Sequence, residues 1–444
     1  MFSSTILPSK RIFVVKNIMG SERIPQPTKA AKPTPANSPA ANFWKLWAAN
    51  GFSNLGDGLY QIIHPLIAVR LTDSPTQVAT LSVMLSFPWL LFGLQAGSIV
   101  DRFDRHKVML WVTWGRAILL SALTLAVIMN MISLPWLYVI AFLLGVGETL
   151  VDTALTSIVP SIVSKDRLNW ANAQITAAQT VTNTFIGPPL AGFLAGLSFA
   201  LATGSSTLMY LFAGFALLLL RGRFSTASQT ESSTNQNLWA HLTGGIRFLW
   251  INRLIRDLTL STASMNIFWA GWGALLVLYA VEPGPMGLNE FEYGLLLTVM
   301  AVGGLAGSMV ADRLQKRIGT RNALALDFVG TILLLGVPAL TTNAWAVGAS
   351  AFIAGLGAAV WVILVASIRQ QVVPGDLLGR VYSASRFISW GIGPLGATLA
   401  GLVAEIWGIR IMFAIGGIVS VLTLLLFLNL IPSQLLQRFD DVKR

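Results

Sequence analysis

Cysteine is absent from the 444 residues, which excludes disulfides, thiol chemistry and cysteine-based metal sites. Histidine is nearly as scarce: His64, His106 and His241 lie too far apart in sequence to suggest a metal cluster, and no metal or cofactor is expected. Charge is the third shortage. Charged residues make up 11% of the chain, against about 25% in ordinary soluble domains, so the polar surface is too small to cover a water-soluble fold of this length. No glycine-rich run is followed by Lys-Ser or Lys-Thr, so a phosphate-binding loop for ATP is lacking. No Ser-His-Asp arrangement argues for an enzyme.

What is present is apolar. Hydrophobic residues form 54% of the chain, and runs of membrane-spanning length recur from end to end. A backbone in hydrocarbon must satisfy its own hydrogen bonds, and these runs are far too long for barrel strands. The expected fold is therefore an all-α membrane protein of twelve transmembrane helices. The predicted spans are 44–70, 75–100, 108–129, 134–163, 170–197, 203–220, 255–280, 289–311, 322–341, 344–371, 380–404 and 409–431.

The net charge of +11 follows this topology rather than a nucleic-acid surface. With the amino terminus inside, 26 of the 30 lysines and arginines fall on cytoplasmic segments, and the outside loop 281–293 carries Glu282, Glu290 and Glu292 instead. That bias predicts a multi-pass protein of the inner (plasma) membrane with both termini cytoplasmic. Residues 1–42 are polar, proline-rich and basic, and read as a disordered tail; an over-extended start with Met19 as initiator and an organellar targeting segment are the other readings. Residues 221–254 form the longest connection and turn amphipathic from Leu238 to Trp250, as a helix lying in the membrane interface does. The division is thus a six-helix bundle over 43–220, the linker 221–254, a second bundle over 255–431 and a tail at 432–444.

The two bundles repeat each other. GSIVDRFDRHKV (97–108) recurs as GSMVADRLQKRIGTR (307–321), GVGETL (145–150) as GLGAAV (355–360), and GPPLAG (187–192) as GPLGATLAG (393–401). The offsets are near-constant, and the order is the same in both halves. Transporters with duplicated halves hold their substrate near mid-membrane, between the two.

The segment around Gly97, Asp101, Arg102, Arg105 and Lys107 resembles the loop signature of the major facilitator superfamily, with Asp104 where glycine is usual. The second copy keeps Gly307, Asp312, Arg313, Gly319 and Arg321. SNLGDGLYQI (53–62) and the runs after the fourth and tenth spans resemble the bacterial efflux branch that includes enterobactin exporters and macrolide efflux pumps. The resemblance implies that Gly97, Asp101, Arg102, Arg105, Asp312 and Arg313 form a conformational latch, with Gly97 allowing close helix approach. It also implies a kink or gate at Gly187, Pro188 and Gly192, repeated at Gly393 and Pro394. An arginine that many proton antiporters carry in the fourth span is missing from Ala141 to Gly145.

Ionisable residues inside spans are costly and usually functional. Asp57 lies midway along the first span and Glu148 midway along the fourth, with Asp152 one turn from Glu148 and Arg116 in the third span. The expectation is that Arg116 pairs with Asp152, which leaves Asp57 or Glu148 to exchange protons as access alternates. The second half is expected to be apolar at this depth, with Phe268, Trp269, Trp272 and Trp361 lining a cavity and Asp327 paired with Arg386. The function expected is secondary active transport: proton-coupled efflux of an amphiphilic small molecule (a drug, macrolide or siderophore-like compound) by a monomer in the lipid bilayer. Three alternatives stay open on sequence: a lipid or lysophospholipid flippase on the same fold, a membrane sensor or scaffold that does not transport, and an uptake carrier, since the fold does not determine direction.

Overall fold

The computed structural model describes residues 39–222, 224, 238–432, 436 and 439. Most of the expected tail at 1–42 and the polar opening of the linker lie outside these residues. Fourteen α-helices order the described chain: α1 Pro39–Ala68, α2 Pro75–Arg102, α3 Arg105–Ile128, α4 Leu134–Ile162, α5 Leu168–Gln179, α6 Gly187–Leu197, α7 Phe199–Leu218, α8 Leu238–Ile251, α9 Arg253–Ala280, α10 Glu290–Leu340, α11 Ala344–Val372, α12 Gly375–Gly391, α13 Gly393–Trp407 and α14 Ile409–Leu430. Helices α1–α7 form one bundle and α9–α14 the other.

Among the described residues, nine helices are long and apolar enough to cross a membrane by length and composition. One of them, α10, has 51 residues, or about 76 Å at about 1.5 Å per residue. The hydrocarbon layer is about 30 Å thick, so α10 is two spans. Its break is Gly319, the only residue inside it with non-helical torsions (φ 79°), which a residue with a Cβ rarely adopts. The sequence pattern predicts a loop over 312–321; instead Arg313 to Arg317 stay helical, because Leu, Gln, Lys and Arg are good helix formers and only the glycine turns the chain. Two further spans escape the length-and-apolarity measure. Helix α1 carries Asn50, Asn54, Asp57, Gln61 and His64, and the fifth span is split by a π-helical turn, Thr180–Ile186, between α5 and α6. Twelve spans result.

The helices begin with caps that the sequence supplies. Ser74 accepts from the Gln77 amide ahead of Pro75, Asn343 accepts from the Trp345 and Ala346 amides, and Asn289 and Glu292 cap each other's backbone at the start of α10. These tight turns sit at one end of the molecule, here the acidic-loop end, with loops 69–74, 129–133, 281–289 and 341–343. The opposite, basic-loop end carries Arg102, Arg105, Lys107 and Arg167.

The connecting helix α8 packs on α12 at the basic-loop end, where a Cβ on Gly245 would lie 2.3 Å from the Arg380 carbonyl oxygen. Leu249 joins Ile255, Val373 and Val381 in a small core there. Leu436 and Phe439, on the expected tail, are buried against Phe328, Trp361 and Phe427 of the second bundle. Helix α1 likewise starts inside the expected tail, at Pro39.

Candidate functional site

The motif SNLGDGLYQI explains itself around Asp57. A Cβ on Gly56 would come 2.9 Å from the Tyr210 ring, and one on Gly58 would come 2.6 Å from the Asn183 carbonyl oxygen. The two glycines let α7 and the π turn close on α1 on either side of the carboxylate. Asp57 and Arg116 are both buried, with side chains 6% and 2% exposed, and form an ion pair in which Arg116 Nη2 donates to Asp57 Oδ1. Tyr210 Oη donates to the same oxygen at 2.5 Å. The Arg116 guanidinium lies 4.5 Å from the Tyr210 ring centroid and 5.9 Å from that of Tyr60, so aromatic faces contribute to holding it. Gly147 on α4 leaves room for its stem; a Cβ there would meet Arg116 Cδ at 2.9 Å.

This corrects the expected Arg116–Asp152 pair. Arg116 takes Asp57, and Asp152 is exposed on the wall of a cavity of about 510 Å³ that also holds Arg386, Trp89, Thr149 and Gln179. Glu148 is half-buried between them and accepts from Tyr60 Oη at 2.8 Å. Sequence reading passed over Tyr60 and Tyr210. The signal for Tyr60 was its place three residues after Asp57, on the same helix face.

The second bundle is less apolar than expected. Asp327 is buried at 4% exposure, and its Oδ1 has no hydrogen-bond partner. It is not paired with Arg386, whose guanidinium lies 5.6 Å and 5.8 Å from the ring centroids of Trp89 and Trp390. Trp269 and Trp361 line the same cavity as Asp327, about 570 Å³ in volume. Trp269 also lines a neighbouring cavity of about 360 Å³ between the halves, together with Trp272, His64, Gln61 and Asn183. Phe268 packs against the core instead.

The glycine-proline motifs sit where the two bundles meet. Gly187 lies against Gly58, and a Cβ on Gly192 would stand 2.3 Å from the Glu290 carbonyl oxygen on α10. Gly294 of α10 would in turn meet the carbonyl of Pro188 at 2.5 Å. Gly393 and Pro394 open α13, whose Gly401 packs on Ala79 and Thr76 of α2. Both crossings lie toward the acidic-loop end, where Arg70 pairs with Glu290 at 2.6 Å and Ser74 Oγ donates to Glu405 at 2.7 Å. The predicted kink in the fifth span is a π turn ahead of Pro188, where the ladder gains a residue instead of bending at the proline.

The loop residues are less uniform. A Cβ on Gly97 would meet nothing within 4 Å, so the close approach expected there is not made, whereas one on Gly307 would stand 2.3 Å from the Leu356 carbonyl oxygen. Arg102, Asp312 and Arg313 are exposed, and Arg105 opens α3. Asp101 lies in the last turn of α2; its side chain is outside the described set. Asp104, where glycine is usual, is the N-cap of α3: it accepts from the His106 and Lys107 amides at 3.0 and 3.3 Å, and its other oxygen takes the Phe224 amide at 3.2 Å.

Comparison with known proteins agrees with this architecture. The enterobactin exporter of Escherichia coli O6:K15:H31 is 26% identical over 404 residues, covering 89% of this chain and 93% of the exporter. A bacterial homologue of the iron transporter ferroportin in its inward-facing state superposes with a TM-score of 0.69 at 16% identity, covering 88% of this chain and 98% of that one. The nucleoside transporter NupG gives a TM-score of 0.67 at 14% identity over 88% and 98% of the two chains. The family model described as transmembrane secretion effector matches residues 35–438. With its helices in two pseudo-symmetric bundles, this chain belongs to the transmembrane secretion effectors of the major facilitator superfamily and is a multi-pass membrane transporter.

Proposed function

We propose that the chain exports an amphiphilic small molecule in exchange for protons by alternating access, working as a monomer. The carrying observation is that the bundles are joined at the acidic-loop end and surround a cavity holding Asp152 and Arg386 toward the other. Charge bias makes that other end cytoplasmic, so the arrangement corresponds to the stage that accepts cargo from the cytoplasm. The glycine-lined crossings of α6 on α10 and α13 on α2 act as the gate, and the loops at 97–107 and 307–321 as the latch of the opposite stage.

The coupling groups follow from the geometry. Asp57 is held by Arg116 and Tyr210 and has a structural role at this stage. Glu148, with one tyrosine donor, and Asp152, open to the cavity, are the carboxyls placed to trade a proton with the cytoplasm. Glu148 lies four residues from Asp152 on α4, one helical turn deeper, which suits a relay between them.

The test is a substrate panel in an efflux-deficient host, repeated with the proton gradient collapsed. Macrolides, dyes and, given the exporters the chain resembles, a siderophore belong in it. Glu148→Gln and Asp152→Asn are expected to abolish gradient-driven export while sparing substrate exchange. If both variants keep full proton-driven efflux, the coupling assignment is wrong. Sensitivity unchanged for every compound class overturns the export reading and leaves the flippase or scaffold.

A further inference from the structure

The pseudo-symmetric halves are unequal in one place. At the repeat offset of the loop signature, Asp327 on α10 corresponds to Arg116 on α3. In the first half the buried charge has its counter-charge, Asp57, and a tyrosine donor. In the second half the place of Asp57 falls near Phe268, and no ion pair to Asp327 exists among the described residues. Its Oδ1 is enclosed and accepts no hydrogen bond. A buried carboxylate without a partner is strongly unfavourable, so Asp327 needs either a proton or a cation supplied from outside the bundle.

The surroundings define what such a cation would meet. The cavity of about 570 Å³ beside Asp327 is lined by Trp269, Trp361, Trp390 and smaller apolar side chains, with Ser82 and Ser86 of α2 and Thr262 and Asn266 of α9 as its other polar groups. The Trp269 indole N–H donates to Thr331 Oγ1 at 3.0 Å, and that of Trp361 donates to Thr262 Oγ1 at 3.1 Å. Both donors are used within the bundle, so these rings offer a ligand π surface and apolar area. Asn266 Nδ2 is also occupied, by the Ser389 carbonyl at 2.6 Å. The backbone under Asp327 cannot retreat on the α11 side, since a Cβ on Gly357 would stand 2.7 Å from Asp327 Cα.

A carboxylate set among indoles in a cavity of ligand size recognises one kind of chemistry: a cation on an aromatic or aliphatic body. We infer that Asp327 anchors the cationic group of the transported molecule, which makes the substrate class amphiphilic organic cations, with the body of the cation against Trp269 and Trp361. The inference rests on the transporter reading and names its cargo. The cargo supplies the positive charge that Asp327 lacks.

The test is equilibrium binding to the purified full chain in detergent, with tetraphenylphosphonium and its neutral relative triphenylphosphine oxide as probes. The wild type is expected to prefer the cation. Asp327→Asn should weaken tetraphenylphosphonium binding about 10- to 100-fold, the range for losing a charged partner. It should leave the neutral oxide unchanged, which also reports that the variant is folded, and Asp327→Glu should retain the preference for the cation. Equal binding of the two probes to the wild type overturns the inference, as does an Asp327→Asn variant that still prefers the cation. A variant that keeps cation binding but loses proton-driven transport makes Asp327 a proton carrier, which refutes the anchor and leaves the transporter reading standing. Asp327-dependent binding with no transport of any compound in proteoliposomes does the reverse.

Discussion

The ion pair between Asp57 and Arg116 lends itself to a double-mutant cycle. Both side chains are almost wholly enclosed, and Tyr210 adds a second donor to the shared oxygen. Asp57→Asn leaves a buried guanidinium without a counter-charge, and Arg116→Met leaves a buried carboxylate in the same condition. Breaking a buried pair by removing one partner costs about 3–5 kcal/mol, because the survivor stays desolvated. Independent sites would make the double variant cost about 6–10 kcal/mol, most or all of the roughly 5–15 kcal/mol that holds a typical domain folded. The geometry predicts otherwise. Removing both charges removes both uncompensated desolvation terms, so the double variant should be no less stable than the worse single one. Denaturant titration of the four purified proteins in detergent, followed by tryptophan fluorescence, measures all corners of the cycle. Additivity within about 0.5 kcal/mol would refute the coupling. So would an Asp57→Asn variant no less stable than Asp152→Asn, whose exposed carboxyl should be worth within about 0.5 kcal/mol.

The gate and the loop make further predictions. Gly192→Ala places a methyl 2.3 Å from the Glu290 carbonyl oxygen, so α6 and α10 must part at the acidic-loop end. Because the chain has no cysteine, one introduced at Gln61 in the cavity between the halves should then react faster with an impermeant maleimide added from that side; unchanged labelling would count against the gate. Arg70→Ala removes a bridge at the same end, but the Arg70 side chain is 58% exposed, so it should shift the equilibrium by only about 0–1 kcal/mol and move labelling far less. Asp104→Ala removes the cap of α3 and should cost about 0.5–2 kcal/mol in thermal unfolding, whereas Asp104→Gly should cost only a few tenths more than wild type. The reverse order would show that Asp104 does not act as a cap.

Much of the architecture was legible because a bilayer constrains a chain one segment at a time. Span length, the clustering of lysine and arginine on alternate loops, and the repeat of three landmarks are local patterns, and each maps to an element without knowledge of its neighbours. The same locality leaves two details of extent to the structure. The chain from Asp312 to Ile318 stays helical because its residues favour helix, and a single glycine at 319 suffices to turn it. The tail residues Leu436 and Phe439 are buried because apolar surface was waiting on the second bundle, which nothing in their own segment announces.

The candidate site was legible in residue type but not in partnership. Composition and position marked Asp57, Glu148, Asp152 and Arg116, since charged groups are rare within spans. Depth along each helix then suggested Arg116 with Asp152, whereas the structure pairs Arg116 with Asp57 because Gly56, Gly58 and Gly147 let the helices and the long arginine stem pack where side chains would block them. Tyr60 and Tyr210 acquire their roles only through that packing.

Sequence alone determined that this chain lies in a membrane, that it crosses many times, that it is two copies of one bundle, and which side chains carry the costly charges. Each of these is set by transfer energies and hydrogen-bond needs that a segment has by itself. Only the tertiary structure decided which charges neutralise each other, which end of the paired bundles is closed, and that Asp327 stands without a counter-charge. Those outcomes depend on rotation and distance between helices far apart in the chain, and a few ångströms separate a closed ion pair from an open carboxylate.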